Sequence, residues 1–289
     1  MSSSKKLIAD GSSPLLVKTR PSGHGRARGL VSSRRSGARV EAQTYEPPSE
    51  LADVISAFWV GAWDLRGQPG HTTQMLPDPC FNFVFETGDQ NDEARVVGVW
   101  TKLWVRTLEG RGRVRGIKLR PGAFRAFSDS PAHAYANRIV AFDSVFADEC
   151  DTHVRDDWTF KDDERFFSRL ARWLCDQRRD DANVSLAVAL AQRVASSPEI
   201  TQVAHLVNVS GLSLRPLQRL FRAYVGASPK WLIRRIRLQE VALRLERGDS
   251  QNLADLAAEL GYTDQSHLAR DFKSAVGKSA TDFATAVWD

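Results

Sequence analysis

Apolar residues recur along this chain with two periods, and the change from one to the other divides the molecule. From residue 41 to about 150 the spacing is that of strands. The stretch PCFNFVFE, Pro79 to Glu86, is short, aromatic-rich and β-prone. ARVVGVW and KLWVRTLEG follow it, anchored by Trp100 and Trp104. RVRGIKLRPGAF alternates strictly: Val114, Gly116, Lys118 and Arg120 share one face, and Arg115, Ile117 and Leu119 the other. That pattern predicts a strand in a half-exposed sheet, stopped by Pro121-Gly122. Several short strands with little helix between them predict a compact barrel or sandwich. A short helix is expected just before them, around Leu51 to Trp59.

After Trp158 the period lengthens to that of a helix. Asp162 to Gln177 sets Phe166, Phe167, Leu170, Trp173 and Leu174 on one helical face, suited to packing on the sheet or to a dimer contact. The polar run Asp176 to Asp181 marks a domain boundary near residue 180. An apolar helix then starts at Val184.

The last third holds two helix-turn-helix patterns in series. In the first, Val203, Leu206 and Val207 form the apolar stripe of a supporting helix. Gly211 supplies the turn, where a missing Cβ removes strain. Ser213 is placed to cap the next helix, and Pro216 falls in its first turn, where the missing N–H breaks no bond. Leu217, Leu220 and Phe221 point inward, leaving Arg215, Gln218, Arg219 and Arg222 outside. In the second, Leu253, Leu256, Ala257 and Leu260 form the support, Gly261 the turn and Thr263 the cap, with Asp264 suited to the helix dipole. Leu268 and Phe272 face inward; Gln265, Ser266, His267 and Arg270 face outward. Asp271, beside Arg270, would repel phosphate and is assigned to a structural contact. A helical run from about Lys230 to Arg247 joins the units, with Trp231, Ile236, Leu238, Val241, Ala242 and Leu245 on its apolar face. Arg pairs bidentately with guanine and Gln with adenine, so two such helices on one body point to double-stranded DNA as partner.

Composition adds three bounds. The chain has 289 residues, enough for two folded domains. Its net charge of +5 is uneven: residues 1–40 hold nine Lys or Arg against one acid, Asp10. That stretch, rich in Ser, Gly and Arg, is expected to be a disordered basic arm. From Thr201 onward there are twelve basic and nine acidic residues, so charge alone does not reveal a nucleic-acid partner. Cys80, Cys150 and Cys175 are widely separated and form no Cys-x-x-Cys pair, and His71, His133 and His153 include no His-x-His. No metal and no cofactor is expected. Without an apolar run of about 18 residues or a secretory start, a soluble, cytoplasmic, nucleoid-associated protein is expected, with no membrane partner.

From Val203 to Phe283 the chain resembles the arabinose-regulator (AraC/XylS-type) transcription factors. The stretches SLRPLQRLFRAYVGASPKWLIRRIRLQEVALRL and LADLAAELGYTDQSHLARDFKSAVGKSATDF carry the resemblance. They include the Gly-x-Ser-Pro step at Gly226, Ser228 and Pro229, and the Arg237-Leu238 pair. It departs in having Ala280, not Pro, after Gly277, and in Pro216. The resemblance implies DNA contacts at Arg215, Gln218 and Arg219, then at Gln265, Ser266, His267 and Arg270. It implies an α+β chain: a mainly-β, barrel-like sensor or dimerisation domain over 41–180, then an all-α tandem helix-turn-helix domain over 181–289. YEPPSELADVISAFWV, LPDPCFNFVFE and GIKLRPGAF are similar to a sensor domain of some such regulators. Such a domain implies a small-molecule effector or a homodimer contact, and an activator would also meet RNA polymerase. Trp59, Phe81, Phe83, Trp100, Trp104 and Phe124, with Arg120 as polar anchor, are the candidate effector pocket; plain core is the alternative for most of them. Two other functions stay open: a constitutive or architectural DNA-binding protein, and a DNA alkyl-transfer enzyme using Cys80.

Overall fold

The computed structural model describes residues 18–19, 39–90, 92–146, 162–246 and 253–288. Its N-terminal part is a seven-stranded sheet in the order β1-β2-β3-β8-β5-β6-β9, with a separate two-stranded ribbon of β4 and β7. The strands are β1 (Lys18–Thr19), β2 (Arg39–Tyr45), β3 (Ile55–Asp64), β4 (His71–Met75), β5 (Asn82–Gly88), β6 (Glu93–Val97), β7 (Trp104–Leu108), β8 (Arg111–Leu119) and β9 (Ile139–Ala141). All the pairings are antiparallel. The sheet is open, with β1 and β9 at its edges, so the barrel expectation gives way to a layered arrangement.

Three local expectations change. The helix placed at Leu51 to Trp59 is one 3-10 turn, Ser49–Leu51, followed by strand β3. Period-two alternation wins there: Phe58 and Val60 are buried on one face, while Trp59 and Trp63 lie on the other. Strand β8 is not half-exposed either, since Arg115, Ile117 and Leu119 are buried and Val114 is covered from the opposite side. Within the stretch read as a disordered arm, Lys18–Thr19 pairs with Tyr45 and Thr44 of β2, and β2 itself begins at Arg39. Backbone pairing to a free strand edge needs no apolar side chain, so composition could not signal it. The remainder of that arm, Cys150, His153 and Trp158 lie outside the described residues.

Helices follow as α1 (Asp143–Phe146), α2 (Asp163–Gln177), α3 (Ala182–Ser196), α4 (Val203–Ser210), α5 (Leu214–Leu220), α6 (Pro229–Glu246), α7 (Leu253–Glu259), α8 (Gln265–Val276) and α9 (Ala280–Trp288). Helix α2 packs on the sheet: the ring of Phe167 lies 5.0 Å from that of Phe58 and 5.6 Å from that of Tyr45. Its N-cap Asp162 accepts from the backbone N–H groups of Glu164 and Arg165. Asp163 then receives Arg115 at 2.7 Å and also Arg113, pinning the start of the helix to β8. The other sheet face is covered by the ribbon. There Glu86 takes Arg95 at 2.5 Å and also Arg106 from β7, whose guanidinium lies over the Trp63 ring.

One hydrophobic core continues from the sheet through α2, α3 and α4 into α5 and the start of α6, without a break at residue 180. The close approaches show it. Gly122, at φ +98°, lies where a Cβ would come within 2.9 Å of the Ala187 backbone on α3. Gly226, at φ +85°, closes the segment after α5 against the Ala132 carbonyl. The second helix-turn-helix has its own core around Val241, Leu256, Leu268, Phe272 and Phe283, into which Leu76 of the N-terminal part also inserts.

Candidate nucleic-acid interface

Each helix-turn-helix is built by burying one face and leaving the next turn polar. Leu206 anchors α4 in the core, with Val203 and Val207 packed beside it. Gly211 then takes φ +67°, ending α4 in a left-handed cap that a side chain would strain. Leu217 and Leu220 of α5 and the following Phe221 are buried, while Arg215, Gln218, Arg219 and Arg222 are exposed. The turn after α5 widens into a π segment, Phe221–Val225. It is braced by the Tyr224 hydroxyl, which donates to Asp181 at 2.8 Å, and by Arg125 stacked over the Tyr224 ring. Ser213 occupies the N-cap position of α5, yet its side chain makes no capping bond.

In the second unit Leu256, Ala257 and Leu260 are buried, and Gly261 turns at φ +76°. A Cβ there would fall 2.6 Å from Thr201, so this glycine also sets how closely the two units approach. The cap expected at Thr263 is made one residue later: Asp264 accepts from the His267 N–H at 2.7 Å. The capping residue stands two positions after the turn glycine in the first unit, Gly211 to Ser213, and three in the second, Gly261 to Asp264. Leu268 and Phe272 point inward; Gln265, Ser266 and Arg270 are exposed. His267 is only half-exposed. Its ring meets Tyr262 edge-on at 5.2 Å, and its Nε2 lies 3.8 Å from Asp271. Asp271 accepts from Arg234 of α6 at 2.5 Å, a structural contact across the two elements.

Helix α6 holds both units. Arg237, buried, donates from Nη2 to the carbonyls of Ser197 at 2.7 Å and Ile200 at 3.0 Å, tying α6 to the loop between α3 and α4. Arg235, two residues earlier and also buried, donates to the Pro77 carbonyl of the N-terminal part. Beside it Lys118 donates to Asp78 at 2.7 Å. Burial pushes the Asp78 carboxyl up, but the Lys118 and Arg235 charges outweigh it and hold the pKa below the ordinary carboxylate value. Ser228 caps α6 by accepting from the Trp231 N–H at 3.2 Å, which gives the Gly-x-Ser-Pro step its purpose. Between the units runs a cleft of about 490 Å³. Lys230, Ile233 and Arg234 of α6 face Val203 on one unit and Tyr262 and His267 on the other.

The sequence pattern did not single out Lys230 and Arg234, which line the cleft, although their spacing of four sets both on one face of α6. It also did not single out Leu214, which the structure exposes on α5. The effector candidates do not converge. Phe81, Phe83 and Phe124 are buried in the main core, with the Phe81 and Phe124 rings stacked at 4.0 Å. Trp59 lies on the opposite sheet face and donates to Asn82 at 3.4 Å. Trp100 and Trp104 pair near the ribbon at 6.2 Å, and Arg120 donates to the Ala52 carbonyl at 2.8 Å. The alternation of β3 and β5 puts neighbouring aromatics on opposite faces, which sequence proximity conceals. Among the described residues no group of three His, Cys, Asp or Glu is placed to hold a metal ion, and no helix is long and apolar enough to cross a membrane.

Residues 206–286 match a helix-turn-helix domain family, and residues 43–141 match a domain of unknown function, DUF6597. An uncharacterised HTH-type transcriptional regulator of Haemophilus influenzae is 28% identical over 100 residues, 35% of this chain and 32% of that protein. Residues 206–286 therefore carry a helix-turn-helix domain. The chain spans about a third of the length of that curated relative. Among solved structures it is similar to ToxT from Vibrio cholerae, at 10% identity and TM-score 0.40, over 87% of this chain and 99% of that one. An unsaturated fatty acid-bound ToxT from strain SCE256 aligns at 10% identity and TM-score 0.38, over 79% and 95%.

Proposed function

We propose that this chain is an AraC-type transcription regulator that reads duplex DNA with α5 and α8 in successive major-groove segments. Arg215, Gln218, Arg219 and Arg222 would serve the first, and Gln265, Ser266, His267 and Arg270 the second. The observation that carries this reading is the anchoring of both units on one helix: Arg237 fixes α6 to the first unit, and Arg234 fixes it to the second. Helices held on one rod keep a constant spacing, which a duplex with a regular helical repeat rewards. The strand between the two groove segments would cross the cleft, where Lys230 and Arg234 supply positive charge to phosphate.

The N-terminal part would bias this geometry through its own contacts with α6 and the second unit, at Arg235–Pro77 and Leu76. A small effector or a homodimer contact would act through that junction, and an activator would present a further face to RNA polymerase. The separation of the candidate aromatic residues onto two sheet faces favours a second reading, constitutive binding without an effector. Thermal denaturation against a metabolite panel separates the two, because a specific ligand raises apparent stability. The alkyl-transfer alternative loses its nucleophile: Cys80 is buried, and burial with the nearby Asp78 charge pushes its thiol pKa up.

Electrophoretic shift on the protein's own upstream region, repeated at rising salt, tests the DNA reading. Affinity well above that for random DNA at every salt concentration supports it. Equal affinity for the two would overturn it.

A further inference from the structure

Among the described residues five large apolar side chains stand exposed: Val105, Ile139, Leu186, Val209 and Leu214. Of these Leu214, 48% exposed, is the first residue of α5, the helix proposed to enter the groove. Its helical neighbours Leu217 and Leu220 are buried, and its own side chain points with the polar set, beside the exposed Arg215 and Gln218. At the equivalent first position of α8 the residue is Gln265, also exposed. The two probes therefore open with different chemistry, one apolar and one amide.

The N-terminal residues of a reading helix are the ones that reach base edges. On those edges the major groove offers polar atoms everywhere except the 5-methyl group of thymine. An exposed branched aliphatic residue at that position has one apolar counterpart there. We propose that Leu214 reads a thymine methyl in the segment bound by the first unit, next to the base pairs met by Arg215 and Gln218. The assignment rests on the DNA reading proposed above. It makes the first unit select by shape and methyl burial as well as by hydrogen bonds, and the second unit by hydrogen bonds.

Deoxyuridine in place of thymidine removes only the methyl group, so it isolates this contact. Sites are first selected with the full-length protein from random duplexes. Each thymidine in the enriched site is then replaced singly by deoxyuridine. Burial of one methyl group predicts an affinity loss of about three- to five-fold at one position of the first half. That loss should vanish in Leu214→Ala, which removes an exposed side chain and should keep the wild-type melting temperature. Leu186→Ala, an exposed apolar residue on α3, should retain the full loss. Insensitivity of the wild-type protein to every replacement overturns the proposal, as does undiminished sensitivity in Leu214→Ala. Failure to enrich any site overturns the DNA reading itself. An enriched site with no methyl dependence overturns only the role of Leu214.

Discussion

Arg237, buried in the middle of α6, donates to the Ser197 carbonyl at 2.7 Å. The contact spends a charged side chain on main-chain acceptors, Ile200 included, that have no place in a regular element. It converts the loop before the first unit into part of the α6 scaffold. Arg237→Leu would leave the Ile200 carbonyl without its donor and the Ser197 carbonyl with only the Ile200 N–H, at a cost of about 1–3 kcal/mol. Urea denaturation should show the midpoint falling with little change in slope. A loss below about 1 kcal/mol would show that the loop holds without the arginine.

The two reading helices begin differently, and their caps should respond differently. Asp264→Ala removes a bond to the His267 N–H and should cost about 1 kcal/mol. Ser213→Ala removes no capping bond and should cost only a few tenths. Thermal melts of the two variants give the comparison, and equal losses would contradict it.

Arg234 and Asp271 join α6 to α8 with one end exposed and one nearly buried. Solvent screening keeps the pair near 1 kcal/mol or less in a double-mutant cycle. Its larger effect should be on DNA, because the pair sets how α8 leaves the rod. Arg234→Ala should weaken specific binding more than its stability loss explains, measured by comparing specific and random duplexes.

Asp181 links the pH response to the first unit. Burial pushes its carboxyl up, but hydrogen bonds from the Tyr224 hydroxyl and the Asn183 N–H outweigh this and hold its pKa below the ordinary value. A depressed carboxylate contributes stability that is fully present above the unfolded-state pKa of about 4 and is lost as pH falls through the lower folded value. Tyr224→Phe should therefore reduce stability at neutral pH and flatten the acid limb of the stability curve. An unchanged acid limb would show that the hydroxyl does not hold the carboxylate.

Much of this organisation was legible because burial and local turn chemistry act over short stretches. Phe166, Phe167 and Leu170 announced α2; Gly211 and Gly261 announced the turns. The layout failed where the deciding partner was distant. Trp59 and Phe83 look like pocket neighbours in a list of aromatics, yet strand parity sends them to opposite faces of one sheet. Lys118 and Arg235 are 117 positions apart in the chain and meet near Asp78 only because α6 docks on the N-terminal part. Leu214 was not assigned to either face, and the structure exposes it at the start of α5.

Hydroxyl-radical footprinting on a selected site tests the rigid two-probe arrangement most directly. The account predicts two protected patches on one face of the duplex, about 10 base pairs apart. Gln218→Ala should weaken one patch and Gln265→Ala the other. A single patch, or protection that neither substitution alters, would contradict it.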